Sequence, residues 1–325
     1  MLAHPAVIPK ELLSFIEAQN SPRCIRLPHP RTGLPTLFLP LVTPPSADGR
    51  AGTTSILEVQ SIAPDAKRSW FVDPGEVVSD GKLLLLAPID PVFLLIPLLE
   101  LLPEGTNARF LPFQDLLDEI ANVFLHSPPT IEDNSTTVQP IEAADLAAVG
   151  EVSCSPAALR RICEVKEPAP GLEVFQFAPS KALEIVRAKV DLLSTSTTFA
   201  AFPSLERSLA KDGLALVPDK AGTDETLLSQ ARVKASCEIM SQYLSPVWKA
   251  KLLASYDFGR LDLHLKALAD EAQAAITRAD AEPKLKDATN APNKKVKRGT
   301  VGVEKLKKAN VTGMAKLSSF FTKKT

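Results

Sequence analysis

The residues Ser69 to Leu102, SWFVDPGEVVSDGKLLLLAPIDPVFLLIPLLELL, decide the fold of this chain. They form its densest apolar segment. At the centre lies an unbroken apolar run, Leu83 to Ala87, bounded by Gly81 and Pro88. A run of this length between two turn-forming residues is typical of a strand that is buried on both faces. The rest of the chain is expected to cover or extend this segment.

A helix is predicted directly after this strand. Asp90 precedes Pro91, and this pair is typical of a helix start, because the carboxylate can accept a backbone N–H and proline has no N–H to leave unpaired. The residues Val92 to Leu102 are apolar on nearly every side of the helix. Such a helix is stable only when it is buried.

A membrane span is the alternative interpretation of residues 83–102, whose length nearly suffices. It would place Asp90 near the bilayer centre, at a cost of about 2.5–3.5 kcal/mol, and the prolines at 88, 91 and 97 would interrupt the helix. We therefore predict a strand and a helix that are buried in protein, with no membrane contact.

Short strands separated by turn residues are predicted before this segment, which indicates a small β-barrel or sandwich. A sheet this small that does not close leaves unpaired edges, and sharing strands with a partner chain is one solution. The residues alone leave a closed barrel and a barrel shared with a partner equally open. The predicted strands are Cys24–Leu27, Thr36–Leu39, Ser55–Ile62, Ser69–Val72 and Lys82–Ala87.

Helical periodicity replaces the strand pattern in the second part of the chain. Apolar side chains recur every three or four residues in 113–125, 180–194, 228–243 and 248–256. The residues from 199 to 219 show only weak periodicity and are expected to be partly disordered. We predict an α+β protein with a β-barrel domain in residues 1–105, an all-α domain in 106–265 and a disordered basic tail in 266–325.

The tail carries a charge opposite to that of the body. The net charge is −1, but the residues after 283 contain twelve Lys or Arg and two acids, so the body is acidic. Four cations stand together in the tail, a pattern typical of a nuclear localisation signal or a phosphate contact, although a merely solvated run of charge is the plain alternative. We expect a nuclear protein. The four are Lys294, Lys295, Lys297 and Arg298.

A second short feature of the tail lies near its end. A single 3₁₀ turn would bring Leu317 and Phe320 onto one side, with Phe321 beside them, as an apolar plug. The segment resembles the motif by which replication and repair proteins dock on the sliding clamp PCNA. Met314 stands where that motif has glutamine, which removes the hydrogen bonds of the amide.

No catalytic chemistry is indicated. The sequence lacks phosphate-loop, zinc-protease and nucleophile-elbow motifs, and its four cysteines are scattered. The acids Asp115, Asp118 and Glu119 have the spacing of the solvent face of a helix. We predict no catalytic residue, no metal ligand and no cofactor in this chain. An enzyme that uses these acids remains the weakest alternative.

The order and spacing of Ser69–Val72, the strand between Gly81 and Pro88, and Asp90–Leu95 resemble the B subunit of eukaryotic heterotrimeric ribonuclease H2, with a fungal chain expected. The likeness continues more faintly through residues 110–124, 180–193 and 240–256, and ends at the clamp motif. The resemblance implies a chain without an active site whose strands interleave with the C subunit in a triple barrel. The residues expected at this interface or in the adjoining core are Trp70, Phe71, Asp90, Pro91, Phe93, Leu94 and Leu95.

The resemblance also implies a function for the assembly. The complex cleaves RNA in RNA·DNA hybrids and incises at ribonucleotides embedded in DNA, with Mg²⁺ held by the catalytic A subunit. The expected partners are therefore the A and C subunits of ribonuclease H2, the clamp PCNA and, through the complex, the hybrid. The alternative function is a nuclear nucleic-acid-binding or adaptor protein that acts through its basic tail.

Overall fold

A computed structural model describes residues 4–18, 22–42, 54–66, 68–72, 75–126, 140–214 and 224–281. The predicted localisation cluster at 294–298 and the clamp motif at 314–321 lie outside these residues. Among the described residues, no helix is long and apolar enough to cross a membrane.

The first part of the chain folds around a five-stranded sheet with the strand order β1-β7-β4-β3-β2. Neighbouring strands are antiparallel except β1 and β7, which are parallel. Strands β5 and β6 form a separate hairpin. The bounds are β1 Ala6–Val7, α1 Lys10–Ala18, β2 Ile25–Pro28, β3 Pro35–Val42, β4 Thr54–Ile62, β5 Trp70–Val72, β6 Glu76–Val78 and β7 Leu83–Ile89.

Both faces of the sheet pack against other parts of the chain. Side chains alternate between the faces, so Ile56 packs into the main core while Leu57 packs beneath α1. On the α1 face, Leu12, Phe15 and Ile16 of that helix contact the strands. The opposite face lies against the helix that follows β7.

That helix, α2 (Pro91–Glu100), forms as the sequence predicts. The Asp90 carboxylate accepts a hydrogen bond from the Val92 N–H at 3.0 Å, and Pro91 occupies the first helical position. The helix is buried on nearly every side. One hydrophobic core joins it to Phe38 of the sheet and to Trp248 in the second part of the chain. The described residues up to Asp270 therefore form one compact unit.

The second part is mainly helical, as predicted. Its elements are α3 Glu104–Asn107, α4 Phe113–His126, α5 Ala143–Glu151, α6 Cys154–Ile162, β8 Cys163–Ala169, β9 Leu172–Phe177, α7 Pro179–Leu193, α8 Ser196–Ala200, α9 Pro203–Lys211, α10 Glu225–Met240, a 3₁₀ turn Ser241–Tyr243, α11 Pro246–Ala254 and α12 Gly259–Ala281.

The hairpin of β8 and β9 departs from the all-α prediction. It turns at Gly171, whose φ is +77°, and Phe175 pairs with Leu111 to add a third, one-residue strand. Val174 and Phe175 are buried whereas β8 is exposed after its first residue. Because a single short strand contributes so few apolar positions, the stretch lacks the alternation that would have indicated it.

Three other elements differ from prediction. Strand β5 does not join the sheet and pairs with β6 instead. Residues 203–211 form α9, which packs its buried Leu209 against a second, smaller core, despite the weak periodicity of the region. Residues 266–281, which we assigned to the tail, continue α12.

Candidate assembly surface

Three of the predicted interface residues lie in the interior of the chain. Phe93, Leu94 and Leu95 are 6%, 1% and 1% exposed, and all three belong to the main core. They hold α2 against the sheet and against the helices. They offer no surface to a second chain, so their part in an assembly is to support the fold.

Asp90 also acts within the chain. Besides capping α2, its carboxylate lies 3.0 Å from Arg161 of α6 and 2.5 Å from Lys189 of α7. Burial alone would raise the pKa of Asp90, but the hydrogen bonds from Lys189 and Val92 and the two cations outweigh burial and lower it. Asp90 therefore fixes the junction of strand and helix to two later helices.

Trp70 and Phe71 lie in the hairpin of β5 and β6, which has an inner and an outer face. On the inner face Trp70 pairs with Val78, which is buried, and the Trp70 indole donates a hydrogen bond to the Lys82 carbonyl at 2.9 Å. On the outer face Phe71 pairs with Val77. Phe71 is 87% exposed and Val77 53% exposed. This Phe71–Val77 pair is an apolar patch that the described residues do not cover.

The base of the hairpin is fixed by Gly81. Its φ is +61°, and a Cβ built at this position would lie 2.5 Å from the backbone oxygen of Arg68. A side chain at residue 81 would therefore force the strands apart just where Trp70 is anchored. The exposed pair is presented by a constrained hairpin.

The five-stranded sheet also has open edges. Strand β1 pairs only with Leu84 and Leu85 of β7, and β2 pairs with β3 only as far as Phe38. Within the described ranges, the outer backbone of residues 86–89 and 39–42 has no neighbouring strand. Exposed apolar side chains, Val7 and Val42, occur on β1 and β3. Such edges accept strands from another chain.

A buried polar cluster at Glu58 joins the sheet to the helical part. Glu58 is 2% exposed and accepts hydrogen bonds from Gln60 at 2.7 Å and from the Tyr243 hydroxyl at 3.0 Å, and His29 lies 3.5 Å away. Burial, reinforced by the Glu58 charge, raises the pKa of Tyr243 to about 12, and burial lowers the pKa of His29. The alternation in β4 predicts that Glu58 faces solvent. Glu58 is buried instead, because Tyr243, which lies 185 residues away in sequence, packs against it.

The α6 helix and the β8–β9 hairpin form a second surface, and its cations are already engaged. Arg160 makes two hydrogen bonds to Glu173, at 2.9 and 2.6 Å, and Arg161 is held by Asp90. The hairpin carries more acids than bases. Lys166, the one base of the hairpin, lies over the Phe110 ring, 3.8 Å from its centroid.

The described ranges hold no group of three or more His, Cys, Asp or Glu residues that could bind a metal. Burial raises the pKa of Cys154 and Cys237 to about 11 and that of Cys163 to about 12, so these thiols stay protonated near neutral pH. They pack as small apolar side chains. The four predicted clamp residues and the four predicted localisation cations lie outside the described part of the chain.

Comparisons with known proteins agree with the order of these two parts. Residues 7–90 match the model of the Ydr279p protein triple barrel domain, and residues 93–253 match that of the Ydr279p protein family (RNase H2 complex component) wHTH domain. The chain is 26% identical over 316 residues to the ribonuclease H2 B subunit of Schizosaccharomyces pombe, with 92% of this chain and 94% of that protein covered. The helices α4, α5 and α6 and the β8–β9 hairpin fall within the residues that match this winged helix-turn-helix domain.

Proposed function

The chain belongs to the Ydr279p family of RNase H2 complex components, and from this premise we propose that it is the scaffold B subunit of a heterotrimeric ribonuclease H2. The observation that carries the proposal is a sheet that matches a triple-barrel domain and has open edges, together with a Phe71–Val77 pair that the described residues leave exposed. A chain that folds alone would be expected to bury such a phenylalanine or to lack it.

The assembly would be built by strand addition. Strands of the C subunit would pair with the free backbone of residues 86–89 and 39–42, and its apolar side chains would cover Phe71. Burying a phenylalanine contributes about 1.5–3 kcal/mol, and the strand pairing fixes the register. Obligate interfaces of this kind resemble a protein core divided between two chains.

The catalytic chemistry would belong to the partner. The catalytic A subunit would hold the Mg²⁺ ions and cleave RNA in RNA·DNA hybrids and at ribonucleotides embedded in DNA. This chain would need no cofactor of its own. Its winged helix would contact protein rather than the hybrid, because Arg160 and Arg161 are bound to Glu173 and Asp90.

The tail would recruit the complex. Leu317, Phe320 and Phe321 would dock on the clamp PCNA, and the cations from Lys294 to Arg298 would direct the complex to the nucleus. A short motif on a long tail raises the local concentration of the enzyme without requiring rigid geometry. The affinity is expected to be modest, because ordering the tail uses part of the contact energy.

The assembly is tested by Phe71→Asp in the full-length chain co-expressed with its two partner subunits. A charge at this buried contact should strongly reduce the amount of the C subunit that co-purifies. The matched control is Leu192→Asp, which places the same charge on a 71% exposed leucine of the helical part. Equal recovery of the C subunit with both variants would show that the Phe71–Val77 pair is not part of the interface.

A further inference from the structure

A cavity of about 280 Å³ lies between α8, α9 and α10, away from the sheet and the winged helix. Its wall is largely apolar. Phe199, Leu209, Leu214 and Leu228 line it, and all four belong to the second, smaller core rather than to the main one. The volume is at the lower end for ligand sites, so it suits one or two side chains rather than a nucleotide.

One cation is built into this wall. Arg232 lines the cavity and is only 6% exposed. Its Nη1 donates a hydrogen bond to Glu225 Oε1 at 3.3 Å, and that glutamate is 73% exposed at its side chain. No other acceptor for Arg232 occurs among the residues that the structure describes. A guanidinium has five N–H donors, so most of them remain for a ligand.

The chemistry of the ligand follows from the excess of N–H donors on Arg232 over its single acceptor, Glu225. A buried cation is stable only when it is paired with an anion, and one long hydrogen bond to an exposed carboxylate is a weak pairing. A planar carboxylate fits the guanidinium with two parallel hydrogen bonds. Arg207 also lines the cavity, and Glu206 is the one acid among the lining residues described. The apolar wall in turn requires an apolar group next to the carboxylate.

We propose that this cavity is a docking site for an acidic segment of a partner protein, in which an Asp or Glu carboxylate binds Arg232 and an adjacent large apolar side chain fills the space lined by Phe199 and Leu228. The apolar wall beside Arg232 favours such a segment over a free phosphate, and the small volume favours it over a nucleic acid. The site is separate from the proposed contact with the C subunit, and it would give the complex a second means of recruitment.

The test uses the full-length chain in its purified complex and capped tetrapeptides that pair Asp or Glu with Leu or Phe. Each peptide is compared with its Asn or Gln counterpart by saturation-transfer NMR titration. At least one acidic peptide should bind about tenfold or more tightly than its amide counterpart, because charge-assisted hydrogen bonds are the stronger ones. Equal binding of both members of every pair, or no binding at millimolar peptide, overturns the proposal.

Variants locate the binding. Arg232→Met keeps the length and apolar stem of the side chain and should abolish the preference for the acidic peptide. The matched control, Lys211→Met, removes an exposed cation of α9 that does not line the cavity and should leave the preference unchanged. Thermal unfolding shows whether each variant is folded. If a folded complex with Arg232→Met still prefers the acidic peptide, Arg232 is not the binding residue and the proposal is overturned. If the variant does not fold, the comparison of acidic and amide peptides on the natural chain still tests the proposal.

Discussion

At the residue scale, Asp90 shows which contacts can be predicted from the neighbouring residues in the sequence and which cannot. The position before a proline identifies it as a helix cap, and its hydrogen bond to the Val92 N–H confirms this. Its two cationic partners, Arg161 and Lys189, come from helices that follow 71 or more residues later. Glu58 is a second example, since its half-buried partners His29 and Tyr243 are also distant from it in sequence. Capping is local and could be predicted, whereas ion pairing depends on the tertiary fold.

The Asp90→Asn change tests the paired role of this carboxylate. The amide can still cap α2, but the charge that Arg161 and Lys189 neutralise is lost. We expect a destabilisation of about 1–3 kcal/mol near neutral pH, measured as a lower thermal unfolding midpoint of the complex. Glu184→Gln, on an exposed acid of α7, is the control and should have little effect.

The effect of Asp90→Asn should also depend on pH. Because the pKa of Asp90 in the folded chain lies below its ordinary value of 3.8, its contribution to stability is fully present above that value and is lost as the pH falls through the folded-state pKa. The natural chain and the variant should therefore converge in strong acid. A difference between them that grows as the pH falls from 5 to below 3.8 would contradict this role.

At the element scale, the sequence predicted the strands that are rich in apolar residues and the α2 helix, and it missed the elements that are short or exposed. Strand β6 and strand β8 expose most of their side chains, so they carry little periodicity. Strand β5 was predicted, but its place outside the sheet was not, because strand partners are a property of the fold. The exposed side of Phe71, which is central to the assembly proposal, became clear only from the hairpin register.

Gly81→Ala tests the hairpin as a rigid element. The added Cβ would meet the Arg68 backbone oxygen at 2.5 Å and would also require a left-handed conformation at φ +61°. Gly171→Ala is the matched control, because it has φ +77° but open space around the position. The control should cost about 1–2 kcal/mol from conformation alone.

Gly81→Ala should lower the thermal unfolding midpoint more than Gly171→Ala does. Less of the C subunit should also co-purify with Gly81→Ala, since Phe71 would no longer be held in place. The measurement is the thermal unfolding midpoint together with the ratio of subunits after purification. Similar behaviour of the two glycine variants would mean that the close approach to Arg68 does not fix the hairpin.

At the scale of the whole molecule, charge and hydrophobicity are divided along the chain. The body is acidic and contributes the three hydrophobic clusters, while the basic residues concentrate after residue 283. This division could be read from composition, and it supports an account in which the body assembles the complex and the tail recruits it. The single compact unit up to Asp270 could not be read from composition, because it depends on α2 packing against both parts.

The tail is tested by Phe320→Ala combined with Phe321→Ala in the assembled complex. Clamp binding, measured by surface plasmon resonance on immobilised PCNA, should fall at least about tenfold because two buried aromatic contacts are removed. Cleavage of an RNA·DNA hybrid by the complex should not change. Phe202→Ala, at a 51% exposed phenylalanine of the body, is the control.

The same complex can separate the two functions proposed for the tail. Deletion of residues 284–325 should remove clamp binding and leave hybrid cleavage intact if the tail recruits the enzyme. If the chain is instead a nucleic-acid-binding protein that acts through its tail, the deletion should abolish binding of this chain to nucleic acid and the salt dependence of that binding.

The central claim is that this chain assembles a ribonuclease without performing the cleavage. The most direct measurement is reconstitution with the A and C subunits, Mg²⁺ and a labelled RNA·DNA hybrid, with each protein omitted in turn and the composition of the complex determined by native mass spectrometry. We predict a complex with one copy of each protein, strong cleavage only when all three are present, and none by this chain alone. Cleavage by the isolated chain, or full activity of its two partners without it, would contradict the account.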